Sequence, residues 1–159
     1  MLGFLKRDGN SSEDRAEIIE YLAKVRPLAE AAEREFAAWM AAVVHEPGAD
    51  PPRANSPRLA IEADPEGRHA SIYLWHVGDP ARDFVECEPT KPTRAYYEAF
   101  SLCLEARAAA ADGFRSAAEG IGARDPAPQI AQANRKLAEA DHEHARATAA
   151  MAALEARAG

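Results

Sequence analysis

Most of the features that announce an activity are scarce or missing in this chain. Its only cysteines are Cys87 and Cys103. They are too few and too far apart for a disulfide framework or a CxxC site, so a reducing, cytoplasmic setting is expected. No run approaches the ~18 apolar residues of a spanning helix. The apolar tip Met1–Leu5 ends at Lys6-Arg7-Asp8, too early for a secretory leader. Basic residues are in deficit, 19 against 26 acids, for a formal charge of −7. That balance argues against nucleic acid, whose phosphates call for clustered Lys and Arg, and against docking on an anionic membrane. There is no glycine-rich phosphate loop, no G-x-S-x-G elbow and no H-x-x-x-H pair. No cofactor and no nucleophilic catalysis are therefore expected.

What is present is alanine, about a quarter of the chain, with Leu, Glu and Arg, the composition of closely packed long helices. Ser11-x-x-Asp14 fits a capping box, and Ile18, Leu22, Val25, Ala29, Ala32, Phe36, Trp39 and Val43 follow at 4-3-4-3 spacing. This first helix should run to His45-Glu46 and kink near Ala23–Arg26, ahead of Pro27, without breaking, since the pattern stays in phase across the proline. Ile19, Tyr21, Met40 and Val44 widen its apolar stripe. A second helix starts after Thr90–Thr93 and runs to about Glu119. Asp125-Pro126 then opens a third that reaches the C-terminus.

Residues 47–92 break the helical period. Pro47–Pro57 reads as an extended linker. Arg58–Glu88 reads as a small antiparallel β insert, with turns at Asp64–Gly67 and Gly78–Pro80 and a third short strand at Phe84–Cys87. Part of 69–77 could instead be helical. The fold class expected is thus mainly α: an antiparallel bundle of three long helices with a β insert between the first two. Residues 1–10 form a flexible tip and 11–159 a single domain.

Every seventh residue of the last two helices places Phe114 by Leu137, Arg107 by His144 and Phe100 by Met151. One polar layer lies between apolar ones. A buried guanidinium needs a carboxylate. With the first helix running parallel to the third, Glu33 or Glu30 comes to that level, where Ala29 and Ala32 leave room. A layer of Arg107, Glu33 (or Glu30) and His144 reads most simply as a register device. Its functional reading is a small anion or carboxylate ligand held between the helices.

Glu139 and His142 form a single Glu-x-x-His, the spacing of carboxylate-bridged metal bundles, to which Glu105 could add a ligand. Both project away from the inward stripe and no second copy of the motif exists, so no metal is expected. Cys103 falls on the inward side of its helix. Tyr73 and Trp75 on the insert, and Phe4 at the tip, are candidate contacts for a protein partner or a second copy. The function expected is a non-enzymatic interaction or scaffold module that self-associates as a homodimer on its wide first-helix stripe, with the small-molecule or metal-binding bundle as the alternative.

Overall fold

The computed structural model describes residues 12–40, 80–119, 124–125 and 127–159. Three long helices account for most of them: α1 (Ser12–Trp39), α2 (Arg94–Glu119) and α3 (Ala127–Ala158). Among the described residues there is no strand. The Pro47–Pro57 linker, the N-terminal tip, the end of the first helix at His45-Glu46 and the β insert as far as residue 79 lie outside them.

The apolar spacing of α1 becomes its buried face. Ile18, Tyr21, Leu22, Val25, Ala29, Ala32 and Trp39 are buried, and Phe36 is partly so. Glu13 and Asp14 stand in the first turn, where the helix dipole favours acids. Pro27 sits inside an unbroken helix on its exposed side. Of the residues expected to widen the stripe, Tyr21 turns inward while Ile19 stays 49% exposed.

The third strand expected at Phe84–Cys87 is instead the end of a helical turn over 80–85. Backbone bonds run from Glu86 N–H to Arg82 O and from Cys87 N–H to Phe84 O. The reason is in the side chains. A period of two would carry Glu86 inward with Phe84, whereas helical spacing sends Ala81 and Phe84 to the core and leaves Glu86 in water. Phe84 is fully buried, 4.8 Å edge-on from Phe100 and 5.9 Å from both Tyr96 and Tyr97. The Tyr97 hydroxyl donates to Val85 O and ties this turn to α2. The chain then enters α2 through a 3-10 turn, Lys91–Thr93, in which buried Thr93 Oγ1 accepts the Thr90 N–H at 2.9 Å. Asp125 opens α3 as expected, its Oδ1 accepting the Ala127 N–H at 3.0 Å.

α2 and α3 are antiparallel and lie close because small residues line their seam. A Cβ on Gly113 would come within 3.0 Å of the Ala133 Cβ. The direction of α1 is a correction: it runs antiparallel to α3 and parallel to α2. Arg15 donates to the carbonyls of Ala158 and Gly159, Arg157 pairs with Asp14, and Arg26 pairs with Glu155. Further along, Trp39 packs on Phe114, ring centroids 5.8 Å apart. A short turn forces α2 and α3 to be antiparallel. The fifty-odd residues between α1 and α2 can span a bundle about 40 Å long and impose no direction. End-to-end contacts decide it, with the positive end of the α1 dipole and Arg15 beside the C-terminal carbonyls of α3.

Two large apolar clusters result, with a small third one of Cys103, Ala106 and Ala140. One, near the α2–α3 turn, holds Trp39, Phe114, Ile130 and Leu137. The other, at the opposite end, holds Ile18, Val25, Phe84, Phe100 and Leu154. The polar layer lies between them.

Candidate functional site

Arg107 sits on the inward face of α2, one turn from Leu104, Ala110 and Ala111, and its side chain is only 4% exposed. Ala29 and Ala32, next to Glu33 on α1, are small and buried. The Arg107 guanidinium grips Glu33 with two bonds, Nη1 to Oε1 at 2.7 Å and Nη2 to Oε2 at 3.3 Å. The Phe36 ring covers it, 3.9 Å from Cζ to the centroid, a cation–π contact in a dry setting. Arg107 Nε is buried without a hydrogen-bond partner. On the far side of the carboxylate, His144 Nε2 stands 3.4 Å from Glu33 Oε1.

Glu33 therefore bridges a dry cation and a half-exposed imidazole. Burial by itself would raise its carboxyl. Hydrogen bonds from His144 and Arg107, with the charge of Arg107, more than offset this and hold it at about 2. A carboxylate this acidic stays ionised through the neutral range and is too weak a base to draw a proton from a substrate. Cys103 is fully buried, and burial pushes its thiol up to about 11 despite nearby Arg107, so it is a packed apolar group and not a nucleophile. Burial likewise raises the Tyr21 and Tyr96 phenols.

Beside the layer, a groove of about 670 Å³ runs between α1 and α3. Phe100, Tyr96, Ala29, Ala147 and Met151 make an apolar floor. Glu33 and His144 stand along its length, exposed Glu30 and Arg34 on one rim, and the Arg26–Glu155 pair at 3.0 Å near one end. So Arg107, Glu33 and His144 meet, whereas Glu30 lines the groove without joining Arg107. Sequence reasoning missed Arg26, Arg34 and Glu155: a parallel α1 and α3 sets Arg26, at the middle of α1, about 20 Å in height from Glu155, near the end of α3. The facing of Phe100 and Met151 was the signal that could have located the floor.

Glu139 pairs with Lys136 at 2.7 Å, and Glu105, Glu139 and His142 are all exposed on the opposite side of the molecule. Among the described residues no three His, Cys, Asp or Glu side chains gather closely enough to hold a metal ion. Tyr73, Trp75 and Phe4 lie outside the described residues. No described helix is long and apolar enough to cross a membrane. No family model, curated protein or solved structure matches this chain.

Proposed function

We propose that the chain is a non-enzymatic interaction module whose groove between α1 and α3 seats an amphipathic helix of a partner protein. The observation that carries this is the groove's cross-section: an apolar floor between rims whose charges are mostly matched within the chain, Arg26 by Glu155 and Glu33 by Arg107. Such a lining offers no net charge to a strongly ionic ligand. It suits a helix with apolar anchors at i, i+3 or i+4, and i+7 and charges of both signs at its margins. From Arg26 to Arg34 the groove is about 12 Å long, the span of two helical turns.

The test is a photo-crosslinking residue in place of Ala152, an exposed rim position, in the full chain in its native cells. Adducts to one discrete protein, mapping to an amphipathic segment and lost when Thr148→Trp obstructs the groove, are the expected result. Adducts indifferent to Thr148→Trp would refute the reading.

The volume also suits a small amphipathic molecule, since ligand pockets run from about 300 to 1,000 Å³. A carboxylate ligand would have to draw Arg107 away from Glu33 or settle on Arg34 at the rim. Native mass spectrometry of the purified chain decides this second reading: a retained small mass, lost with Thr148→Trp, favours it over a protein partner.

A further inference from the structure

The face of the α2–α3 hairpin turned away from α1 has no part in the groove. At its centre Leu102 is 46% exposed, above a shallow trough that it lines with Ala106, Ala138 and His142. Exposed Ala95 and Ala109 continue the strip one heptad to each side. Beside it α2 carries acids at heptad spacing, and α3 carries both signs, Glu139 and Glu143 among them. On α2 stand the exposed acids Glu98, Glu105 and Asp112, each seven residues from the next. On α3 stand exposed Arg135, His142 and Arg146. Cys103 clusters with Ala140, and Gly113 lies against Ala133, which fixes the relative height of the two helices. The three acids are then roughly level with Arg146, His142 and Arg135 in turn.

We propose that this face is the contact between two copies of the chain. A two-fold axis running along the helices lays α2 of one copy antiparallel on α3 of the other at equal height. Each Leu102 then enters the other copy's Ala138–His142 trough, and each acid meets a donor. The contact is isologous, so both halves gain the same pairs. Two helices each about 10 Å wide and about 40 Å long offer roughly 800 Å² per copy, the area of an ordinary stable interface. Glu139 and Glu143 do not spoil the match, since Lys136 and Arg146 neutralise them within α3, and Arg146 bonds Glu143 through Nη1, leaving Nη2 for an acid of the other copy.

Sedimentation equilibrium on the full chain, from low to hundreds of micromolar, tests this. Twice the 17.2 kDa of one chain is expected. Leu102→Asp should raise the dissociation constant at least about tenfold with an unchanged far-UV circular dichroism spectrum. A Glu98→Lys/Asp112→Lys variant and an Arg135→Glu/Arg146→Glu variant should each be monomeric alone and form a heterodimer when mixed. A single-chain mass at every concentration overturns the proposal. So does a dimer indifferent to these variants but split by Thr148→Trp, which would place the contact in the groove.

Discussion

Removing the Glu33 carboxylate should cost this protein more than removing both partners of the ion pair. In Glu33→Ala the Arg107 guanidinium, 4% exposed in the native chain, loses both terminal bonds, of 2.7 and 3.3 Å. Its Nε has no partner to begin with. Only the Phe36 ring is left, and such a contact contributes about 2 kcal/mol when desolvated. Breaking one side of a buried pair typically costs about 3–5 kcal/mol. In a domain of this size that lowers Tm by about 6–20 °C. Glu33→Leu/Arg107→Leu removes the uncompensated charge and should recover most of the loss. Urea denaturation of wild type, both single variants and the double variant gives the coupling directly. The same pair predicts an acid response. With Glu33 held near 2 in the fold against an ordinary 4.5, its contribution is complete above about 4.5 and is lost as pH falls toward 2. Unscreened, that shift is worth about 3 kcal/mol; with the side chain 37% exposed, screening leaves roughly 1–2 kcal/mol. A Glu33→Ala variant that loses less than about 1 kcal/mol, or an acid limb identical in wild type and Glu33→Ala, would refute the reasoning.

Phe84→Ala should cost about 3–5 kcal/mol by emptying the space among Tyr96, Tyr97 and Phe100, whereas Val85→Ala, at a 40% exposed position, should stay within about 0.5 kcal/mol; thermal denaturation of the two separates a helical turn built into the core from a loosely attached one. At Gly113, alanine gains up to about 1 kcal/mol of helix propensity and meets Ala133 at 3.0 Å, leaving a small net change. Gly113→Val drives a branched side chain against the same neighbour and should cost about 1–3 kcal/mol. Equal urea midpoints for those two variants would show that α2 and α3 are not in close contact there.

The helices and their inward faces were legible because period and caps are local. Ile18 to Trp39 along α1, Thr90 and Thr93 ahead of α2, and Asp125 ahead of α3 all act within a turn or two of themselves. Phe84–Cys87 misled because four residues with two apolar ones fit either period. What settles them is the ring cluster on α2, which is not in the segment. The polar layer survives the reversal of α1. A parallel α1 and α3 sets Glu33 or Glu30 level with His144, and the antiparallel pair still brings Glu33 there, because His144 lies near the middle of α3, seventeen residues from its start and fourteen from its end. At mid-height, reversing a neighbouring helix moves its facing residue little. Toward an end it moves it far: with α1 parallel to α3, Glu155 faces the far end of α1 and not Arg26 at its middle, so neither that pair nor the groove beside it is legible in the sequence.

By itself the sequence determined three amphipathic helices, a hairpin of the last two, and a buried arginine that had to find an acid. All of these follow from periodicity, a short turn and the cost of an unpaired charge. Only the tertiary structure decided which way α1 runs, that Glu33 and not Glu30 takes Arg107, and that a groove opens between α1 and α3. Those depend on which ends of separate helices meet across a long connection, and no spacing within one helix carries that information.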